Sequence, residues 1–461
     1  MWTRGRIVCP YDTIRLMATK TGLLLALCCA SVLLAQTPAD DDPIVVSTEH
    51  PRLLLRPARL RLLRRERERT SARWEQFHIF LAGNAAMPET GFTSALYYQI
   101  SGDAEAGRDA VAWALGPGSD LRQLALVYDW CQDILTPAQK RDLAARLQRG
   151  MAETAANDAI PAVRSRVMAA VALFDEVPQG PRQELERVVR GWWARKMAPE
   201  LAAGRSAAPR EDAYALYEML HVLRDNTNLD LRESARTFFR AFPMEHLVSY
   251  YPAPYEAPEN GYYIGAARRT GEPDLQVAAL SRAAELAMVA FDPNAADTQL
   301  LQGWLMHDHY LLRGAFGIPY EFLWANPYQP GLSYDHAPLV WHNANFGHLF
   351  VRSDWEDTAE WFGDFDGAMQ VFRNGRVVAI DAARPPAPLA LHSAAICFGQ
   401  TARRFRVTVD EGKAVFIVGL DAHHTYQVEV DDEQMYEADT DGGGILELEV
   451  PEGKEVGVRI K

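Results

Sequence analysis

The chain has 461 residues, 48% hydrophobic, 23% charged and 10% aromatic. That content excludes a disordered or fibrous protein and, at roughly 150 residues per domain, predicts two or three domains. Acidic residues outnumber basic ones 61 to 47, for a net charge of −14. A binder of duplex nucleic acid needs a basic surface, so that class is not expected.

From the N-terminus, residues 17–35 read as a secretory signal. Lys20 supplies the positive start, Gly22 to Leu34 the apolar core, and Ala35 a small residue before polar chain. The apolar run, about 13 residues, is too short to span a bilayer comfortably. Residues 1–35 are then the signal region, with Met17 a candidate true start. The expected location is secreted or periplasmic; lipid attachment at Cys28 or Cys29 is the weaker reading. No later segment is long and apolar enough to cross a membrane. Two cysteines lie beyond the signal, Cys131 and Cys397, one in each half. A disulfide framework is excluded by number. Two free buried thiols are expected, with a single bridge as the alternative.

After a linker at 36–48, residues 49–328 carry a helical period. Leu121–Trp130 places apolar residues at helical spacing. Thr136-Pro137-Ala138-Gln139 offers a Thr cap, Pro at the first helical position and Gln three residues after the cap. Breaks at Ser101–Asp103, Gly116–Gly118, Pro178–Pro181, Gly204 and Gly271–Pro273 divide the region into about twelve helices. These fit a bundle, a solenoid or an α/α toroid, and the lack of a fixed-length repeat weighs against the solenoid. Arg52–Arg73 holds nine arginines. They read as a solvated helix face with Leu53, Leu60 and Leu63 turned inward, or as an attractor for a polyanion.

Past Pro327–Gly331 the period changes to two. Residues 334–461 predict an antiparallel β-sandwich with a sub-boundary near 385–400. Phe346–Arg352 alternates, and Gln370–Ile380 reads as two strands around Asn374-Gly375. Further strands are expected at Arg404–Asp410, Ala414–Gly419, Tyr426–Val430, Ile445–Val450 and Val456–Ile460.

Several segments resemble the heparinase II/III-like and alginate lyase superfamily. They are Glu49-His-Pro-Arg-Leu-Leu-Leu55, Phe92–Asp103, Leu126–Trp130 with Leu135-Thr136, and Gly347–Trp355. The order of a helical region, then a sheet region, behind a secretory signal is similar too. The resemblance implies an α+β multidomain fold class, an N-terminal all-α (α/α) toroid followed by a C-terminal antiparallel β-sandwich. It implies a polysaccharide or oligosaccharide substrate, a uronate-containing glycan cleaved by β-elimination. A base removes the proton at C5, a neighbour neutralises the carboxylate, and an acid protonates the leaving oxygen; Tyr commonly serves as acid or base.

Carried onto this chain, the resemblance makes Asn157 the carboxylate neutraliser and the helix Arg210–His221 the bearer of Tyr214 and Glu211. Tyr214, Tyr217 and His221 share one helical face, which lines a sugar cleft or packs in the core. Catalytic candidates are therefore Tyr214, His221, Asn157 and Glu211. Substrate-binding candidates are Arg210, Tyr217, Tyr262, Tyr263, His342 and Asn343, the last two in Trp341–Asn345 at the domain junction. The sequence departs from the family at Ala159, which has no imidazole, and at Trp361–Met369, which has no His where the family carries His-x-His-x-Asp. Asp364 or Asp366 keeps the acidic position there. No group of His, Cys and carboxylates has ligand spacing, so no metal or other cofactor is expected. His307 and His309 point about 200° apart on a helix and cannot share one metal. Two other functions stay open. One is a non-catalytic glycan-binding relative; the other is an α/α-toroid glycoside hydrolase pairing Glu211 with Asp212 or Asp225.

Overall fold

A computed structural model describes residues 43–461, except 118–119, 178, 206–207, 258–260, 309–313, 382–383, 385, 392, 401, 409–413, 432–433, 449 and 451–454. The predicted signal, His309 and Asn260 lie outside the described residues. The first half folds as α1 (Pro57–Glu68), α2 (Ala72–Ala82), α3 (Thr90–Ser101), α4 (Ala104–Leu115), α5 (Leu121–Trp130), α6 (Pro137–Glu153) and α7 (Ile160–Leu173). Then α8 (Gln179–Glu186) runs through a π-helical stretch, Arg187–Met197, into α9 (Ala198–Ala202). They are followed by α10 (Ala213–Thr227), α11 (Arg236–Val248), α12 (Leu275–Phe291), α13 (Ala296–His307) and α14 (Gly314–Trp324). Alternate helices pack on one another: α3 on α5, then α7, α10, α12 and α14, with α2 and α1 carrying the ring back to α3. Phe92 of α3 and Tyr320 of α14 also meet directly, ring centroids 5.2 Å apart. An inner ring with the remaining helices outside it is an α/α toroid.

Local chemistry starts these helices where the sequence says. Thr136 and Gln139 form a reciprocal capping box on α6, and Asp120 and Asp274 cap α5 and α12 through their carboxylates. The inner helices are apolar nearly all round because they are covered on every side; α5 is buried from Arg122 to Trp130. Ile44 and Val46 are also buried in the helical core, so that core begins before residue 49. One element interrupts the helices. A two-residue hairpin, β1 (Tyr255–Glu256) with β2 (Gly261–Tyr262), stands where helices alone were expected.

Among the described residues the second half holds three sheets. The first contains β3 (Val340–Asn343), β4 (His348–Arg352), β5 (Trp361–Phe365), β6 (Ala368–Arg373) and β7 (Arg376–Ala379), antiparallel and in that order. Asn374 and Gly375 both take positive φ, 52° and 73°, which the two-residue turn between β6 and β7 requires. The second sheet joins β8 (Leu389–Ala390), β9 (Ala394–Phe398), β11 (Ala414–Val418) and β14 (Leu446–Leu448). The third joins β10 (Arg404–Thr408), β12 (Thr425–Val430), β13 (Gln434–Asp439) and β15 (Glu455–Ile460).

The layers stack in sequence. Phe350, Trp361, Phe365 and Phe372 of the first sheet join the helical core. Leu349, Val351 and Phe362 on its other face pack against Ile396, Phe398, Phe416 and Val418 of the second. Cys397, Val415 and Ile417 then pack against Val428, Val456 and Val458 of the third. Among the described residues this antiparallel architecture is built from three sheets, within which β9 pairs with β11 in parallel. Cys131 and Cys397 are free and buried. Among the described residues no helix is long and apolar enough to cross a membrane.

Candidate functional site

The inner helices begin at the same end of the ring, and side chains of α5, α7, α10 and α14 meet inside it. Arg122 of α5 holds Glu218 of α10 through Nε at 2.8 and 3.0 Å and Nη2 at 2.8 Å. Its Nη1 donates to Glu89, the residue before α3, at 2.9 Å. Arg164 of α7 donates to the other face of Glu218, and the Tyr320 hydroxyl donates to Glu89. The Tyr214 hydroxyl donates to Glu218 at 2.9 Å and accepts from Trp324 Nε1 at 3.1 Å and Arg122 Nη2 at 3.4 Å. Arg122, Glu218 and Tyr214 are buried and form a floor, while Glu89, Arg164 and Asp212 are partly open above it.

The electrostatics of the floor follow from these contacts. Burial pushes the Glu218 carboxyl up, but Arg122 and Arg164 outweigh it and hold it at about 2. Burial, then Glu218, pushes the Tyr214 phenol far above its ordinary value, so it keeps its proton. Asp212 is different: burial and neighbouring Glu211 raise its carboxyl against the pull of Arg164. It is the carboxyl at the rim whose proton affinity is raised.

Beside this rim is a cavity of about 320 Å³ lined by Tyr262, Tyr263, Phe316, Pro88 and the ion pair Arg282–Asp308. The β1–β2 hairpin positions the two tyrosines, and Tyr263 reaches Asp357 of the sheet half with its hydroxyl at 2.7 Å. Phe316 packs on Tyr320 with centroids 5.5 Å apart, which connects cavity and floor.

The structure therefore places some predicted residues together and others not. Tyr214 lies in the floor, Glu211 is exposed at the start of α10, and Tyr262 and Tyr263 line the cavity. Asn157 is exposed and accepts the Ala159 amide at 3.0 Å, at the start of α7. Arg210 is drawn inward: Nη2 meets Glu285 at 2.7 Å, Nε meets Ser281 at 2.7 Å, and Nη1 meets Ser249 at 2.7 Å. A Cβ on Gly265 would come within 2.2 Å of the Arg210 guanidinium, so glycine is what lets that chain pass. Tyr217 is enclosed by Phe239, Phe242 and Phe291. His221 is fully buried, with Nε2 2.9 Å from the Ala287 carbonyl and its ring against Trp324. Burial, then Arg59 and Arg224, keep that imidazole neutral. Tyr217 and His221 thus sit in the packed interior of α10 rather than at a cleft. His342 and Asn343 lie at the helix–sheet junction, bonded to carboxylates of other layers.

Sequence reasoning missed Arg122, Arg164, Glu89 and Glu218, as well as His348. An Arg at the second position of an apolar helix and a Glu one turn after Tyr214 were the available signals. No family model matches the chain, and no curated protein does. Among solved structures, one described as a glycoside hydrolase aligns with 81% of this chain and 71% of its own at 11% identity, with a TM-score of 0.32.

Proposed function

We propose that the protein is a carbohydrate-active enzyme that takes an anionic glycan at the mouth of the helical ring and cleaves it by β-elimination. The observation that carries this reading is Arg164, partly open above a buried Arg122–Glu218–Tyr214 floor and beside the raised carboxyl of Asp212. Arg164, with Asn157, faces the uronate carboxylate; exposed Glu211 takes the C5 proton; Asp212 delivers one to the leaving oxygen. Tyr214 orients the arginines, since its own proton is committed to Glu218. The aromatic cavity holds a flanking sugar by stacking. Hydrolysis is the second reading, favoured by the pairing of Glu211 with Asp212, whose carboxyl is raised.

Purified protein incubated with uronate polysaccharides should yield the ultraviolet-absorbing unsaturated product. Asp212→Asn should slow its formation by roughly 10²- to 10⁴-fold. Reducing ends without that absorbance would mean hydrolysis, and binding without cleavage would mean a recognition protein. No binding to any uronate glycan would overturn the site.

A further inference from the structure

The junction between ring and sheets carries a second titratable cluster. His348 of β4 has Nδ1 2.6 Å from Glu245 Oε1 on α11, and its Nε2 lies 3.3 Å from the Asp366 amide nitrogen and 3.5 Å from Asp366 Oδ1 in the β5–β6 turn. Glu245 also accepts from Trp341 Nε1 at 2.9 Å and Asn343 Nδ2 at 3.5 Å, both of β3. His342 of β3 has Nε2 2.9 Å from Asp441, in the loop before β14, and Nδ1 3.1 Å from Glu447 of β14. Asp364 of β5, opposite Leu349, is 6% exposed, and its Oδ2 has no hydrogen-bond partner. Among the described residues, the cations paired with Glu245, Asp441 and Glu447 are imidazoles rather than guanidinium or ammonium groups.

That choice of cation matters because an imidazole gives up its charge within the range a protein meets, whereas a guanidinium does not. The His348–Glu245 and His342–Glu447 pairs also cross layers. Glu245 belongs to the ring and His348 to the first sheet; His342 belongs to the first sheet and Glu447 to the second. We propose that this junction is a proton-operated clasp, in which charged His348 and His342 fasten the ring to the first sheet and the first sheet to the second, and loss of those protons unfastens it.

The direction of the effect follows from the surroundings. Burial opposes charge on His348, but Asp366 and Glu245 outweigh it and raise the imidazole from 6.5 to about 10. His342 is raised likewise, by Asp441 and Glu447 against burial. A raised imidazole contributes stability that is complete below the unfolded value of 6.5 and is lost as pH rises through about 10. Burial, with Asp441 and against His348, raises Asp364 from 3.8 to about 7, so its contribution also declines between those values as pH rises. All three groups tighten the clasp as pH falls from about 10 toward 6.5.

Hydrogen exchange on the full chain, corrected for intrinsic rates, reads the clasp at residues 241–248 and 340–366. Opening there should increase with pH between about pH 6.5 and 10, at most roughly tenfold per unit for each proton lost, and His348→Gln should flatten that slope. Should His348→Gln not fold, the ring proton of His348 can be titrated by NMR in the unaltered protein. A midpoint well above 6.5 supports the clasp. Exchange independent of pH, an unchanged slope in His348→Gln, or a midpoint at the ordinary imidazole value would each overturn it.

Discussion

At the residue scale, the Tyr214 hydroxyl is the point where three helices are tied, since it donates to Glu218 and accepts from Trp324 and Arg122. Tyr214→Phe keeps the ring and strands the buried indole N–H, so it should cost about 1–3 kcal/mol. It should also lower turnover by loosening the arginines above it. Glu218→Gln is expected to be worse, about 3–5 kcal/mol, because two guanidinium groups would face a neutral amide in a buried site. The pH profile separates the two. A carboxyl held at about 2 contributes stability that is present above its unfolded value of 4.5 and is lost as pH falls through about 2. The stability of the unaltered protein, followed by circular dichroism, should therefore fall as pH drops from 4.5 to about 2, and that part of the fall should be absent in Glu218→Gln. An identical acid profile in both proteins would remove Glu218 from the account.

At the element scale, legibility tracked how local the signal was. The α6 cap and the Asn374-Gly375 turn are decided by residues within four positions, and both stand where the sequence puts them. β9 left no alternating trace: Ala394–Phe398 is buried at every position because the second sheet is covered on both faces. The π-helical stretch was equally silent. There adjacent Trp192 and Trp193 donate to different places, the Asp158 and Leu231 carbonyls, and one helix must serve both. The Arg-rich start misled differently. Leu53, Leu60 and Leu63 are buried as the spacing requires, yet several arginines are not merely solvated. Arg67 donates to the Ile100 and Ser101 carbonyls at 2.7 and 2.9 Å, and Arg73 to those of Glu321 and Ala325 at 3.2 and 2.8 Å. These are the ends of α3 and α14, where a cation meets the negative end of the helix dipole. Arg67→Ala and Arg73→Ala should each cost about 1 kcal/mol in urea unfolding, with Lys restoring part. Unchanged midpoints would return these side chains to the solvated-face reading.

At the scale of the whole molecule, the same contacts give the ring two unlike ends. Arg56 and Arg224 reach the Asp225 and Phe291 carbonyls at the ends of α10 and α12, as Arg67 and Arg73 do for α3 and α14. The C-terminal end is therefore plugged by arginine, and the N-terminal end is left as the mouth. The protein as a whole is acidic, and residues 400–461 alone hold 14 acidic and 7 basic side chains of the net −14. On the proposed reading a polyanionic glycan is repelled at long range and attracted near the mouth by Arg164. Salt screens the first effect more than the second, because the Debye length is about 8 Å at physiological ionic strength and contacts at the floor are shorter and partly buried. Binding of a uronate oligosaccharide, measured calorimetrically, should accordingly change by less than roughly threefold between about 10 and 150 mM salt, or strengthen. A basic-patch binder weakens steeply over the same range. Steep weakening here would place the glycan on exposed arginines such as Arg61, Arg64 and Arg65, at the far end of the ring from the proposed mouth.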